Sequence, residues 1–137
     1  MSVNYAPTPT GQAVMWSLKK YTWVIGPVGS GKSVACIMKV LYHAKRQAPN
    51  PETGIRQTRF VVVRNTNKGL QDTTLKSFFQ WFPPGVAGEW KATPKTFVFR
   101  YDDVHCEVMF RALDTPDDVS SVLSLEITGA MIDEFVE

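Results

Sequence analysis

Several things are scarce in this sequence, and each scarcity closes off a class of explanation. Charge imbalance is nearly missing: 15 Lys and Arg stand against 13 Asp and Glu, a net charge of +2, so composition gives no bulk electrostatic case for nucleic-acid or membrane binding. Long apolar runs are missing too. Phe60-Val61-Val62-Val63 is typical of the longest, far short of the ~20 residues a membrane span needs. The opening Met1-Ser2-Val3-Asn4-Tyr5 has neither the charged nor the apolar region of a secretory signal. The two cysteines, Cys36 and Cys106, have no metal-type spacing, and each sits in an apolar pattern. They read as reduced core thiols of a cytosolic protein. Internal repeats and low-complexity tracts are lacking as well. What remains is ordinary: 137 residues, 44% hydrophobic and 20% charged, describe at most one globular domain with enough chain to bury a core.

Patterning sketches the elements. Residues 4–10 hold two prolines and read as an extended lead-in, followed by a short helix over 12–20. Tyr21-Thr22-Trp23-Val24-Ile25 is β-branched and aromatic, which suggests a buried strand. A helix is expected from Lys32 to about Gln47, with Val34, Ile37, Met38 and Leu41 on one face and a stop at Pro49-Asn50-Pro51. The apolar run 60–63 suits a strand of a parallel sheet covered on both faces. After a loop at 65–69, Asp72 or Thr73 can cap a helix whose Leu75, Phe78, Phe79 and Phe82 follow helical spacing, ended by Pro83-Pro84-Gly85. Alternation in Phe97, Phe99, Tyr101 and then Val104, Cys106, Val108, Phe110, around Asp102-Asp103, predicts a β-hairpin at about 96–111. Asp114-Thr115-Pro116-Asp117-Asp118 is a helix start, and Thr128-Gly129-Ala130-Met131-Ile132 a strand leading into Asp133-Glu134. The alternation of strands and helices around a glycine-rich turn points to an α/β fold with a mostly parallel sheet.

One segment carries chemistry outright. Gly26-Pro27-Val28-Gly29-Ser30-Gly31-Lys32-Ser33 fits the phosphate-binding pattern G-x-x-x-x-G-K-[ST] in full. Its glycines permit positive φ and let backbone N–H groups approach a polyphosphate, while the following helix aims its positive end at the same anion. Lys32 would reach the β- and γ-phosphates of ATP or a related nucleoside triphosphate, and the Ser33 hydroxyl would ligate Mg2+. At average composition the pattern arises by chance at roughly 4 in 100,000 positions, so a fortuitous glycine turn is a poor explanation. Such a site needs an acidic residue at the end of a neighbouring apolar strand, and Asp133 meets that need, holding the metal mostly through water. Glu134, one residue on, could orient and deprotonate a water against the γ-phosphate, which favours hydrolysis over transfer to a small acceptor.

Beyond these two motifs, most of the chain resembles the N-terminal ATPase domain of a tailed-phage terminase large subunit. The stretches that carry the likeness are Tyr5-Ala6-Pro7-Thr8-Pro9-Thr10-Gly11-Gln12; Arg64-Asn65-Thr66 with Leu70-Gln71-Asp72-Thr73-Thr74-Leu75-Lys76 and Trp81-Phe82-Pro83; and Phe110-Arg111-Ala112-Leu113-Asp114 with Leu123-Ser124-Leu125-Glu126-Ile127-Thr128-Gly129-Ala130. The resemblance implies an additional-strand, catalytic-glutamate NTPase that turns ATP hydrolysis into DNA translocation. Its partners would be double-stranded DNA, the phage portal and the terminase small subunit. It would work as a ring of copies in the host cytoplasm, transiently at the procapsid portal and without a membrane. It also implies Lys32 and Ser33 in the P-loop roles, Asp133 on the metal, Glu134 as base and Gln12 near the adenine.

The sequence departs from the family in places. Some terminases carry an arginine inside the P-loop that acts on the γ-phosphate; the variable positions here are Pro27, Val28, Gly29 and Ser30. An arginine finger must then come from elsewhere, and Arg64 and Arg111 are the candidates, Arg64 because it ends a predicted strand at the edge where α/β sheets bind ligands. Gln12 is a lone glutamine that serves equally as a helix-start surface residue. The sequence ends at Glu137, whereas the family continues with a coupling motif, further strands and a metal-dependent nuclease domain. One of those strands lies between the P-loop strand and the acidic strand, so the sheet is expected to be incomplete and the nuclease domain absent. The four tryptophans and scattered lysines do not cluster into a nucleic-acid patch. A small-molecule kinase, or a nucleotide-binding remnant without turnover, are the rival readings.

Overall fold

Arg56–Arg64, strand β1, is the axis of the fold. The computed structural model describes residues 5–25 and 31–133. In chain order these are helix α1 (Pro9–Trp16), helix α2 (Lys32–Arg46), β1, a short helix α3 (Asn67–Gly69), a π-helical segment (Leu70–Leu75) and α4 (Lys76–Trp81). Then come β2 (Glu89–Ala92), β3 (Lys95–Tyr101), β4 (Val104–Ala112), α5 (Pro116–Leu123) and β5 (Gly129–Ile132). The five strands form one sheet in the order β2-β3-β4-β1-β5. β1 runs parallel to β4 and to β5, while β2–β3 and β3–β4 are antiparallel. The protein is therefore α/β with a mixed sheet, not a mostly parallel one. The reason lies in the hairpin: β3 and β4 pair from Thr96↔Met109 to Tyr101↔Val104 as the alternation predicts, but β4 then offers its other edge to β1 along the whole strand, from Arg56↔Val104 to Arg64↔Ala112.

Residue parity sorts the two faces of the sheet. Phe60 and Val62 of β1, Cys106, Val108 and Phe110 of β4, and Phe97 and Phe99 of β3 point to one side. There they meet Ile37, Met38, Val40 and Ala44 of α2 and Leu70, Leu75, Phe78 and Phe82 of the segment after β1. Phe78 is the hub, with ring centroids of Phe110, Phe82 and Phe97 at 4.9, 5.1 and 5.2 Å. Val61, Val63 and Met109 point to the other side, against Leu113, Val122 and Leu125. Both cysteines are free thiols. Cys106 is fully buried in the main core, where burial pushes its thiol up to about 11.

Several boundaries differ from expectation. α1 begins at Pro9, not at 12, and ends at Trp16. Thr8 Oγ1 accepts from Gly11 N at 3.1 Å, and Pro9 sits at the first helical position, where its missing N–H costs nothing. After β1 the helical stretch starts at Thr66, whose hydroxyl accepts from Gly69 N at 3.0 Å; Asp72 and Thr73 lie inside the π-helical segment and cap nothing. α5 has the expected start, with a capping box between Thr115 and Asp118 and Pro116 next. Residues 21–25 do not form a strand. Tyr21, Trp23 and Ile25 are 74%, 78% and 97% exposed, because strand propensity needs a paired neighbour to act on and β5, at the edge of the sheet, pairs only with β1 among the described residues. No helix among the described residues is long and apolar enough to cross a membrane.

Two outcomes test this packing. Phe78→Ala should cost about 3–5 kcal/mol in urea denaturation, because so many rings lose a partner at once. Tyr101 donates its hydroxyl to Leu41 O at 3.2 Å, and burial, with Cys106, Asp102 and Asp103 nearby, pushes its phenol up to about 12. The folded state favours the neutral phenol, so this contribution is whole below the unfolded value near ~10 and is lost as pH climbs toward 12. Tyr101→Phe should flatten that alkaline fall in stability; an unchanged slope would show that other groups cause it.

Candidate functional site

Parallel strands deliver their carboxyl ends to one rim of a sheet, the rim where α/β proteins bind ligands. β1 and β5 pair through Val63↔Ile132, so the residues that follow, Arg64 and Asp133, leave the sheet side by side. Asp133 is itself fixed by the ladder, its N–H donating to Val63 O at 2.9 Å. α2 lies over β1, β4 and β5 and brings its first turn to the same rim. Gly31 caps it with φ 78°, the left-handed conformation that favours glycine.

Four side chains converge here. Ser33 Oγ donates to Asp133 Oδ1 at 3.3 Å. Arg64 Nη1 lies 3.1 Å from Asp133 Oδ2 in an ion pair. Thr74 Oγ1 donates to the same Oδ2 at 2.6 Å and accepts from Arg64 Nη1 at 3.3 Å. The Arg64 and Asp133 side chains are only 11% and 12% exposed, so the pair sits where screening by water is weak. Cys36, one turn beyond Ser33, is pushed above the ordinary thiol value by burial first and then by the Asp133 charge, against the opposing pull of Lys39. Burial and the Asp133 charge both favour its protonated form.

The sequence-predicted residues divide. Ser33, Asp133 and Arg64 are brought together, and Lys32 opens α2 beside Ser33. Arg111 is not with them. Register places it with Val63 on the opposite face of the sheet, where its guanidinium donates to the carbonyls of Lys95 and Phe110 at 3.2 and 2.9 Å. Gln12 is half-buried in α1, the helix that packs against α2. Gly26, Pro27, Val28, Gly29, Ser30 and Glu134 lie outside the described residues. Thr74 was missed by sequence reasoning. The available signal was weak: two adjacent threonines inside a helical stretch that their β-branching disfavours.

The donor set fits magnesium. A hydroxyl and one carboxylate oxygen, both hard ligands, face each other, and Mg2+ is commonly held by one or two carboxylates together with substrate phosphates and water. Among the described residues no three His, Cys, Asp or Glu side chains gather to hold a metal by themselves. A shallow cavity of about 330 Å³, lined by Gln57, Arg59, Glu107, Glu126 and Thr128, opens at the other end of β1, away from this cluster. No family model, curated protein or solved structure matches the chain.

The pair can be tested by itself. Asp133→Ala takes a nearly buried carboxylate away from the Arg64 guanidinium and from the Thr74 and Ser33 hydroxyls, and should cost about 3 kcal/mol or more. The double variant Arg64→Met/Asp133→Ala should lose less than the sum of its singles in a double-mutant cycle read by urea denaturation; strict additivity would mean that the two do not interact.

Proposed function

We propose that this chain is a P-loop NTPase domain that binds ATP with Mg2+ and hydrolyses it. The observation that carries the reading is the hydrogen bond between Ser33 and Asp133, 100 residues apart in the chain. It joins the last residue of a complete phosphate-loop motif to the acid that ends a parallel strand, the two protein ligands that P-loop NTPases give the metal.

In this reading the amides of the glycine loop and the start of α2 cradle the phosphates. Lys32 reaches the β- and γ-phosphates, and Ser33 with Asp133 Oδ1 hold the metal. Bound Mg2+ would neutralise charge on the phosphate oxygens as the γ-phosphoryl group leaves. Glu134 orients a water and takes its proton. With water as acceptor the reaction is hydrolysis, and a small-molecule kinase is the lesser reading.

The finer assignment, to the ATPase domain of a tailed-phage terminase large subunit, rests on the sequence resemblance. Double-stranded DNA, a portal and a small subunit would then be partners of the whole motor, working as a ring of copies.

Calorimetric titration with ATP, with and without Mg2+, tests the core of the proposal. Binding should depend on Mg2+, and Lys32→Ala should weaken it about tenfold or more, the worth of a charge-assisted bond to phosphate. Equal affinity in the Lys32→Ala variant would sink the P-loop reading, as would no binding by the native chain.

A further inference from the structure

We infer that Thr74 and Arg64 are positioning residues that hold Oδ2 of Asp133 and leave Oδ1 alone for the metal. This rests on the nucleotide-binding reading above and gives Arg64 a role other than an arginine finger within its own chain.

Hydrogen-bond chemistry fixes the direction of every link. A guanidinium can only donate, so the Thr74 hydroxyl accepts from Arg64 Nη1. Its single proton then goes to Asp133 Oδ2, an oxygen that can only accept, across 2.6 Å. That distance belongs to a short, charge-assisted O–H···O− bond, and a chain of such bonds polarises its members in the same sense. Thr74 is 4% exposed, so water does not compete for the hydroxyl. With Oδ2 held from two sides, the carboxylate cannot turn over or offer both oxygens at once. Oδ1 faces Ser33 at 3.3 Å.

The backbone is shaped to the same end. Thr74 lies in the π-helical segment, a geometry that inserts an extra residue into a helical turn and is frequent at functional sites. Leu70 and Leu75 of that segment are buried in the main core, while Thr74 meets the carboxylate. Just before it, a Cβ on Gly69 would come within 2.7 Å of Arg64 Nε and 3.1 Å of Thr66 Oγ1. Glycine at this position leaves the guanidinium its route to Asp133. Groups that orient a metal's ligand from behind typically set its affinity by about 10–100-fold.

The test is a titration of Mn2+ into protein with saturating ADP, free Mn2+ being read by electron paramagnetic resonance, for the native chain, Thr74→Val, Thr74→Ser and Gly69→Ala. Thr74→Val keeps the shape and removes the hydroxyl; it should weaken Mn2+ about tenfold or more while leaving metal-free ADP affinity unchanged. Thr74→Ser should restore binding. Gly69→Ala, which displaces Arg64 by bulk alone, should also weaken it. Native Mn2+ affinity in Thr74→Val would overturn the clamp, and so would Thr74→Ser as weak as Thr74→Val, which would assign the loss to packing of the methyl group. If the native chain shows no Mn2+-dependent ADP binding, the nucleotide reading falls and takes the clamp with it. That outcome is distinct from binding that simply ignores residue 74.

Discussion

A carboxylate withdrawn from water has to be paired, and the upper rim of this protein is organised around that requirement. Asp133 keeps only 12% of its side-chain surface, and an unpaired charge at such a place would cost several kcal/mol. Its partners come from three separate segments: Arg64 from the end of β1, Thr74 from the π-helical segment and Ser33 from the first turn of α2. Each can reach it only if β5 lies beside β1 in the observed register. A slip of one residue would turn Asp133 to the other face of the sheet. The electrostatics of one side chain and the topology of the sheet thus constrain each other.

Beneath that rim the aromatic layer supplies what the polar cluster cannot. Phe78, Phe82, Phe97, Phe99 and Phe110 are each exposed by 2% or less and meet in edge-on and tilted pairs. They tie the hairpin to the helical stretch that follows β1. Because Leu70 and Leu75 belong to the same core, the position of Thr74 is set by apolar packing on either side of it. The polar site inherits its rigidity from the rings. At the far end, Lys45 and Arg56 hold the Asp102-Asp103 turn against the end of α2. Pairs as exposed as those of Lys45 contribute orientation more than stability.

How much of this was legible in the sequence depended on how local each signal was. α2 could be read almost to its ends, since a glycine turn, a strong amphipathic face and a proline stop all lie within one stretch. β1 and the β3–β4 hairpin were legible from composition and alternation. The parallel pairing of β4 with β1 was not, because nothing local distinguishes a strand with one neighbour from a strand with two. β2 escaped notice because Glu89-Trp90-Lys91-Ala92 is only four residues long, with one large apolar side chain to mark its alternation. Residues 21–25 misled in the opposite way: their residue types suit a strand, but no neighbouring strand pairs with them among the described residues. At the site, Ser33, Arg64 and Asp133 were visible as motif or strand-end residues. Thr74 was not, since its significance lies in a π turn and a 2.6 Å distance that no spacing rule encodes.

The placement of Asp133 has a mechanical side. β5 contributes four residues and, among the described residues, is laddered to β1 alone. The carboxylate therefore rides on a strand laddered along one edge, while Arg64 rides on a strand laddered along both. A strand fastened along one edge yields more readily to an axial pull than one fastened along both. Slippage of β5 along β1 would be felt first as a change between two unequal tethers of the carboxylate, the short one to Thr74 and the longer one to Ser33.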